Sequence, residues 1–397
     1  MIADKDFDRC FRSSPIASNC RVSIVVPVRD EAATIRQSLE ALANQILPPG
    51  IDQHSFEILL LANNCSDDSA DIIRQFHHDM PMLAVRLDEI RLAPERANVG
   101  YVRRLLMNEA YARLRSTRSG SGVIMSTDGD TVVAPDWIAA NLSEIERGAD
   151  AVGGRILFSE PQLETMDAAA RALHLVDERY RLLVAEIEAL IDDLPFDGGP
   201  RHHQHFSASF AITTDAYEKS GGVPNVKFLE DCALYEALER ADLRVRHSPD
   251  VIVFTSARSI GRSEVGLAFQ INQWKKLGSE REAYLVENAR SIVDRFTWKR
   301  ELRKFWKAVR EQGKTPSAEE LNRLAEELRI PPHLLKEGLR RQKGFGECYI
   351  DLIREQARIG VRNERYSLQR VEDVVRDLIF VTEDLRAQAA RSHTSSL

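Results

Sequence analysis

Two aspartates separated by one glycine, Asp128 and Asp130, lie in the segment Ser126–Thr131, which directly follows the apolar run Val123–Met125. Acids at this spacing can both turn toward one point at the end of a strand, and their hard oxygens suit Mg²⁺ or Mn²⁺. A divalent ion so held would neutralise a nucleotide diphosphate and stabilise it as a leaving group. The same residues also fit an Asp-Gly turn with solvated acids, so their context has to separate the two interpretations.

A second acid pair, Glu230 and Asp231, precedes a predicted helix over 232–238 and follows the Gly221-Gly222 turn. Acids at a helix N-terminus are favoured by the helix dipole alone. That is the default interpretation of an isolated pair. A chemical role for these carboxylates therefore needs support from the rest of the sequence.

Arginines stand in two further segments. Arg103 and Arg104 follow Gly100, where a glycine allows close backbone approach and an arginine can pair with a phosphate or orient the acid pair. Arg258 and Arg262 follow the last predicted strand and can supply positive charge to a leaving diphosphate or to an acidic acceptor. Solvated loop arginines remain the alternative for both segments.

For these side chains to act together, strands and helices must bring their loops to one place. The apolar patterns predict such strands and helices. A buried strand is predicted over 21–28, an amphipathic helix over 32–45 and a second strand over 56–62. Further strands are predicted near 82–87, 122–127, 150–158, 207–213 and 251–255, and helices over 99–114 and 163–191. This alternation indicates an α/β fold with a mostly parallel sheet flanked by helices, with ligands at the carboxyl ends of the strands.

The chain beyond about residue 266 is rich in Glu, Arg, Lys and Leu and is interrupted at 313–316 and 331–332, which predicts an α-helical C-terminal extension. It contains no catalytic motif. A basic stretch over 299–307 is interleaved with aromatic residues. We expect these aromatics to pack on the preceding domain or in a homodimer through the C-terminal helices, and peripheral membrane contact is the alternative.

Composition excludes several classes of protein. The 397 residues are 43% hydrophobic, which suffices for a large core, and the five cysteines include no CxxC spacing. This argues against a disulfide framework or a zinc ribbon and favours a cytoplasmic location. The net charge of −7, with both signs interspersed, gives no basic field for a nucleic acid. No stretch approaches the roughly 18 apolar residues of a transmembrane segment.

Four segments stand in an order and spacing that point to one family: Val26–Glu31, Asn63–Ser69, Asp128–Asp130 and Phe228–Asp231. Over residues 21–262 the chain resembles the glycosyltransferase family 2 enzymes of the GT-A fold. Four motifs in order, each at a predicted strand end or loop, make coincidence improbable. The resemblance implies a metal-dependent, inverting transferase that moves a sugar from a nucleotide-diphosphate donor to an acceptor hydroxyl, with Mg²⁺ or Mn²⁺ as cofactor.

The resemblance also assigns roles to residues. Asp128 and Asp130 hold the metal, and Asp231, with Glu230 beside it, is the general base for the acceptor hydroxyl. The residues expected to bind the nucleotide sugar are Pro27, Arg29, Glu31, Asn63, Asn64, Asp67, Gly100, Arg103, Asp128, Arg258 and Arg262. The predicted domains are a flexible arm over 1–20, a glycosyltransferase domain over 21–265 and the helical extension over 266–397.

Three histidines cluster at His202, His203 and His205. Histidines at this spacing can bind a transition metal, but no cysteine or acid completes a convincing set. Since the family places acceptor contacts in this region, His203 and His205 are expected to hydrogen-bond the acceptor. Exposed surface histidines are the alternative.

The sequence departs from the family pattern at two places. Many relatives carry an aspartate where this chain has Asn63 or Asn64; an amide oxygen still accepts a base N–H, but the identity of the nucleobase stays open. Many relatives also complete the metal site with a histidine after the last strand, where this chain has Thr255. His247 precedes the predicted last strand and is interpreted as a structural residue. The metal would then rely on Asp128, Asp130, the diphosphate and water.

Two other functions stay open. A nucleotidyltransferase would use a similar fold and acidic metal site, but it needs a glycine- and lysine-rich loop early in the chain, and none is visible. A catalytically inactive nucleotide- or sugar-binding module would explain the missing histidine. The presence of Asp128, Asp130 and Asp231 argues against that alternative.

Overall fold

The computed structural model describes residues 11, 15–192, 194, 196–258, 261, 265–341, 344–360 and 367–394. The described residues form two compact units, one within 1–167, 204–238 and 243–273 and the other within 168–203, 239–242 and 274–397. The units are interleaved along the chain, whereas the sequence pattern predicts one division after residue 265. Helix α6 (Ala168–Asp192) causes the difference, because it packs against two helices from the C-terminal part of the chain.

Eight strands of the first unit form one mixed sheet in the order β3-β2-β1-β4-β7-β6-β8-β5. They are β1 (Val22–Val28), β2 (Phe56–Asn63), β3 (Val85–Ile90), β4 (Val123–Thr127), β5 (Val132–Val133), β6 (Ala151–Phe158), β7 (Ser209–Thr213) and β8 (Val245–Thr255). The pairs β3-β2, β2-β1, β1-β4 and β6-β8 are parallel, while β7 and β5 run antiparallel to their neighbours. The predicted α/β fold with a mostly parallel sheet is therefore confirmed.

Helices alternate with these strands along the chain. They are α1 (Ile35–Ala43), α2 (Ser69–Asp79), α3 (Val99–Arg115), α4 (Trp137–Glu146), α5 (Glu160–Thr165), α7 (Thr214–Ser220), α8 (Glu230–Arg240) and α9 (Leu267–Glu280). In α1 the buried residues Ile35, Leu39 and Leu42 recur at helical spacing and face the core. Strand β2 is buried along its whole length, which explains its continuous apolar sequence.

The parallel strands β1, β2 and β4 bring their carboxyl ends to one edge of the sheet. Val28 pairs in register with Ala62 of β2, and Val25 pairs with Ser126 of β4. The loops after Val28, Asn63 and Thr127 therefore lie side by side. Ligands of such sheets bind outside the carboxyl ends of the strands.

Strand β8 begins at Val245, earlier than the sequence predicts, so His247 lies inside the strand and is 2% exposed. The register moves from Gly154 opposite Ser248 to Arg155 opposite Ile252, which leaves a bulge after Ser248. Pro249 lies in this bulge, where its missing N–H costs no ladder hydrogen bond. Because Pro249 interrupts the apolar pattern, the sequence predicts only the second half of this strand.

The second unit is helical. Besides α6 it contains α10 (Ala289–Arg310), α11 (Ala318–Leu328), α12 (Pro332–Arg341), α13 (Phe345–Arg358), α14 (Val371–Thr394) and the short pair β9 (Leu285–Val286) and β10 (Gln369–Arg370). The predicted α-helical C-terminal region is therefore confirmed. None of the described helices is long and apolar enough to span a membrane.

The aromatic residues of α10 are buried among the helices of this unit. Phe296 packs with α6 and α14 residues, and Trp306 packs with α11, α12 and α13 residues. Both side chains are less than a tenth exposed. Phe296 thus packs on α6, which lies within the predicted domain 21–265, as the sequence indicates, whereas Trp306 packs among the C-terminal helices.

A buried ionic network ties α10 to α6. Lys299 Nζ donates to Glu188 Oε1 at 3.0 Å, and Arg303 Nη2 donates to Asp192 Oδ2 at 2.7 Å. Arg201 lies 3.3 Å from Glu188 through Nη2 and 3.2 Å from Asp197 through Nη1. Burial tends to raise the pKa of Glu188, but Lys299 and Arg201 outweigh it and hold that pKa well below its ordinary value.

Part of the predicted N-terminal arm is ordered on the first unit. Residues 1–10 and 12–14 of that arm lie outside the described residues. Phe11 is buried, and its backbone N–H donates to Asp88 Oδ2 at 2.9 Å. At its far end, the buried Cys20 thiol donates to the Val22 carbonyl.

Candidate active site

The loop that carries Asp128 and Asp130 is fixed against the start of α1. The Gly129 carbonyl accepts from the Ser38 hydroxyl at 3.1 Å and from the Thr34 hydroxyl at 3.3 Å. A Cβ at Gly129 would lie 3.1 Å from Glu31 Cγ, so only glycine fits there without displacing the glutamate. The Asp128 side chain is 32% exposed and that of Asp130 only 10%.

Arg103 of α3 lies at the centre of the site. Its Nη2 donates to Asp128 Oδ1 at 2.8 Å, and its Nε donates to Glu230 Oε1 at 3.0 Å. Its Nη1 donates to the Ser126 hydroxyl at 2.8 Å. One guanidinium therefore connects the loop after β4 with the start of α8.

The surroundings keep Arg103 charged. Burial tends to lower the pKa of a guanidinium, but Asp128 and Glu230 outweigh it and raise the pKa of Arg103 above its ordinary value. The expected ligand-facing glycine, Gly100, lies one turn earlier on α3. A Cβ at this position would lie 3.2 Å from both Cβ and Oε2 of Glu230, so the glycine makes room for that side chain.

The second acid pair starts α8 after a strained residue. Leu229 has φ of 56°, a left-handed conformation that a large side chain rarely adopts. Its carbonyl accepts from the Ala233 N–H at 3.0 Å, which fixes the first turn of the helix. Such strain is concentrated at functional sites. Here it sets the direction in which the next two residues, Glu230 and Asp231, leave the loop.

Asp231 is partly exposed, in contrast to the buried Glu230. Its Oδ1 accepts from the backbone N–H of Cys232 at 2.8 Å. Burial, with Asp231 as the next contribution, raises the pKa of the Cys232 thiol to about 12. Cys232 is therefore a protonated neighbour of Asp231 at neutral pH and not a nucleophile.

Arg258 contacts acids of two different loops. Its Nη1 and Nη2 donate to Glu31 Oε2 and Oε1 at 2.8 and 2.9 Å. Its Nη2 also lies 3.0 Å from Asp130 Oδ2. Burial tends to lower the pKa of Arg258, but hydrogen bonding to Glu31 and the charge of Asp130 raise it. The expected partner Arg262 lies outside the described residues.

Asp128 and Asp130 are the two ligands that the sequence predicts for a divalent ion. Carboxylate oxygens of Asp128 and Asp130 fit Mg²⁺ or Mn²⁺ by their chemistry. In the described part of the chain, these two aspartates form no group with a third Asp, Glu, His or Cys whose ligand atoms all lie within 4.8 Å of one another. Thr255 ends β8 near this loop, and its hydroxyl accepts from the Thr131 hydroxyl at 3.3 Å. The Thr255 hydroxyl is thus hydrogen-bonded to Thr131.

Asp30, Cys65 and Asp67 form a set of three potential metal ligands. These acids serve the loops themselves: Asp30 accepts from the Ser66 N–H at 2.7 Å, and Asp67 accepts from the Ala32 N–H at 2.9 Å. Asp67 thereby links the loop after β1 to the start of α2. We assign this set a structural role.

The predicted base-binding residues differ in their contacts. Asn64 exchanges two hydrogen bonds of 2.9 Å with the backbone of Leu92, and Arg29 Nη1 donates to the Ala97 carbonyl at 2.7 Å. Asn63 ends β2 and is 3% exposed, yet its Oδ1 has no hydrogen-bond partner among the described residues. Pro27 lies in β1 opposite Leu61. Asn63 therefore presents an unsatisfied acceptor at the carboxyl end of the sheet.

The two predicted acceptor histidines fall in different units. His205 stacks on Tyr235 of α8, with ring centroids 4.0 Å apart, and lies edge-on to His247 at 6.2 Å. His203 belongs to the second unit. His205 is part of an aromatic group with Tyr235 and His247.

Other features of the site were not predicted. Ser126 and Thr131 are hydrogen-bonded to Arg103 and Thr255, and their only sequence signal is their position beside the two aspartates. The strain at Leu229 has no sequence signal. A cavity of about 260 Å³ lies near the start of α8 and is lined by Glu95, Arg96, Asn98, Tyr101, Asn225, Val226 and Lys227.

Comparison with known proteins matches part of this chain to a family. Residues 23–192 match the family described as Glycosyl transferase family 2. Glycosyltransferase AglE of Haloferax volcanii is 28% identical over 142 residues, which are 35% of this chain and 40% of that protein. The match thus spans less than half the length of that curated relative.

Solved structures resemble the chain more loosely. Staphylococcus aureus TarS 1–349 in complex with UDP-GlcNAc has a TM-score of 0.43 and 13% identity, covering 86% of this chain and 92% of that one. The mannosyltransferase PcManGT from Pyrobaculum calidifontis in complex with GDP-Man and Mn²⁺ has a TM-score of 0.42 and 15% identity, covering 98% and 91%. The matched range contains Glu31, Asn63, Arg103, Asp128 and Asp130. Residues 23–192 thus resemble glycosyltransferase family 2, which is the family that the sequence motifs indicate.

Proposed function

We propose that this protein transfers a sugar from a nucleotide-diphosphate donor to an acceptor hydroxyl, with inversion at the anomeric carbon and with a divalent ion. The observation that carries the proposal is the pair of hydrogen bonds from Arg103 to Asp128 and Glu230. One buried cation holds the acid that would face the diphosphate and the acid pair that would face the acceptor. Asp128 and Glu230 are thus held close together by Arg103, as transfer between two neighbouring substrates requires.

The nucleotide sugar would bind at the carboxyl ends of β1, β2 and β4. Asn63 Oδ1 would accept a base N–H, which supports the base pocket because a buried acceptor without a partner costs free energy until it is satisfied. Asp128 and Asp130 would hold the ion, which when bound supplies charge neutralisation for the departing diphosphate. Arg258 would add positive charge on the same side.

The acceptor would approach the start of α8. Asp231 is partly exposed and would take the proton of the attacking hydroxyl, since the oxygen must lose it as the glycosidic bond breaks. Glu230 is buried and occupied by Arg103, so it would position the helix start rather than remove the proton. Attack from the side opposite the leaving diphosphate gives inversion. His205, stacked on Tyr235, would line the acceptor side.

The experiment is a release assay with a panel of UDP-, GDP-, ADP- and dTDP-sugars in the presence of Mn²⁺ or Mg²⁺. Family 2 chemistry predicts slow release of nucleoside diphosphate from one member of the panel even without an acceptor, because water can replace the hydroxyl. Release that is equal in the parent and in Asp130→Asn would contradict the proposal. Release of pyrophosphate from a nucleoside triphosphate would instead favour a nucleotidyltransferase.

A nucleotide-sugar-binding protein without transferase activity is the second candidate. It is favoured by one observation: Thr255, which stands where the family resemblance predicts a metal-binding histidine, accepts a hydrogen bond from Thr131. This candidate predicts that a nucleotide sugar binds and remains intact. The same panel distinguishes the two functions, because binding without release supports only the second.

A further inference from the structure

Arg258 covers two carboxylates that are more buried than the arginine itself. The Glu31 and Asp130 side chains are 8% and 10% exposed, whereas that of Arg258 is 30% exposed. Both terminal nitrogens of Arg258 contact these acids at 2.8 to 3.0 Å. A guanidinium thus occupies the side of Asp130 on which a divalent ion would carry its positive charge.

The two acids are held by other contacts. The Glu31 N–H donates to the Ser69 hydroxyl at 2.7 Å, and Glu31 Oε2 accepts from the Thr34 hydroxyl at 3.1 Å. Asp130 lies inside the turn closed by the Thr131 N–H and the Asp128 carbonyl at 3.1 Å. Arg258 lies in the loop after β8, and its guanidinium is at the end of a long side chain. It is therefore the partner that can move away at the lowest cost.

A divalent ion at Asp130 and the guanidinium of Arg258 would repel one another at this distance. A diphosphate changes the balance, because its oxygens suit the planar donor fork of arginine. The arginine could then exchange carboxylate oxygens for phosphate oxygens without losing hydrogen bonds. Asp130 and the diphosphate would then both be available as ligands of the ion.

We propose that Arg258 is an exchangeable counter-ion of the metal site. Without a diphosphate it pairs with Glu31 and Asp130 and suppresses binding of a divalent ion. With a diphosphate its N–H groups move to phosphate oxygens, so the ion and the diphosphate bind cooperatively, each raising the affinity for the other by the same factor. This inference rests on the proposed function, since it takes Asp130 as a metal ligand.

The test measures Mn²⁺ binding by electron paramagnetic resonance on the full chain, first alone and then with inorganic pyrophosphate, which needs no knowledge of the nucleobase. The variants are Arg258→Gln, Asp130→Asn and their combination. Arg36→Gln is the matched control, because it removes the same charge from a side chain that is 50% exposed and pairs with Glu40 on α1. Circular dichroism establishes that each variant is folded.

Arg258→Gln is expected to bind Mn²⁺ alone roughly tenfold or more tightly than the parent, because a unit positive charge in contact with the ligand is removed. In the same variant pyrophosphate with Mn²⁺ should bind roughly tenfold more weakly, because a charged hydrogen-bond donor is lost. Arg36→Gln should match the parent in both titrations. The two opposite changes in one variant are the signature of an exchanging counter-ion.

Equal or weaker Mn²⁺ binding by Arg258→Gln overturns the counter-ion role. If Asp130→Asn still abolishes Mn²⁺-dependent pyrophosphate binding in that case, the metal site of the proposed function stands and only this inference fails. If the gain in Mn²⁺ affinity persists in the double variant, the ion is not held at Asp130. Both the inference and the metal part of the proposed function then fall.

Discussion

Arg103 donates to Glu230 at 3.0 Å although the two residues are 127 positions apart in the chain. The same guanidinium holds Asp128 through its neighbouring nitrogen at 2.8 Å. The separation of the two acidic groups is thereby determined by one rigid planar side chain. A replacement that keeps the positive charge but lacks the planar guanidinium should displace Asp128 and Glu230 while changing the stability of the fold less.

Arg103→Lys tests this relationship. A lysine has one nitrogen and cannot donate to Asp128, Glu230 and Ser126 in the arrangement of the arginine. We expect turnover to fall about 10²-fold, as small displacements of reacting groups do, while affinity for the nucleotide sugar changes much less. Steady-state kinetics provides the measurement, with Arg36→Lys on the surface of α1 as control. Parental turnover in the Arg103→Lys variant would show that the bridge is dispensable.

Asp130→Asn should remove the metal-dependent part of nucleotide binding. In the parent, a nucleoside diphosphate at about 100 times its dissociation constant should stabilise the protein by about 2.7 kcal/mol when Mn²⁺ is present. The shift should shrink when the metal is chelated. In Asp130→Asn, thermal shifts with Mn²⁺ and with chelator should coincide. Equal shifts in the parent under both conditions would show that nucleotide binding does not use a metal.

Asn63→Ala should separate ligand binding from stability. Because Asn63 Oδ1 has no partner among the described residues, its removal breaks no hydrogen bond in the described structure of the free protein. We expect nucleoside diphosphate affinity to fall by about 1–2 kcal/mol, the cost of a lost hydrogen bond, while unfolding of the free protein is little changed. Calorimetric titration and thermal unfolding measure the two effects. A loss of stability with unchanged affinity would assign Asn63 to the fold alone.

Glu188→Gln tests the ionic network of the helical unit. Removing one member of a buried ion pair leaves Lys299 without its closest acid, so we expect about 3 kcal/mol of destabilisation near pH 7. The pKa of Glu188 is depressed in the folded state, so its contribution is present above its ordinary value of 4.5 and is lost as pH falls below it. The free energies of unfolding of parent and variant, measured with denaturant, should therefore converge as the pH falls below about 4, as far as both proteins remain folded. A difference independent of pH would mean that Glu188 acts by packing and not by charge.

The apolar pattern was enough to predict β1, β2 and β4, because they are buried, nearly continuous apolar runs, and α1, because its apolar residues recur at helical spacing. It missed β5, which has only two residues, and the first half of β8, which Pro249 separates from the rest. The pairs Arg103–Glu230 and Arg258–Glu31 could not be predicted. They join segments 127 and 227 positions apart, and only the strand order of the sheet brings such segments together.

Asp231→Asn is expected to abolish sugar transfer while metal and nucleotide binding stay nearly intact. Asp231 begins α8 beside Glu230, directly after the strained Leu229, and is the more exposed of the two acids. An amide keeps the shape of the side chain and can still accept from the Cys232 N–H, but it cannot take the proton of an attacking hydroxyl.

Loss of a general base costs about 10²–10⁴-fold, and the effect should appear in kcat rather than in affinity for the nucleotide sugar. Glu230→Gln is the matched comparison, since it also removes one carboxylate charge but breaks the contact with Arg103. That variant should lose thermal stability as well as turnover, whereas Asp231→Asn should lose turnover alone. If Asp231→Asn keeps near-parental turnover, Asp231 is not the base. Glu230 would then be the first acid to test in that role, and the inverting assignment would lose its main support.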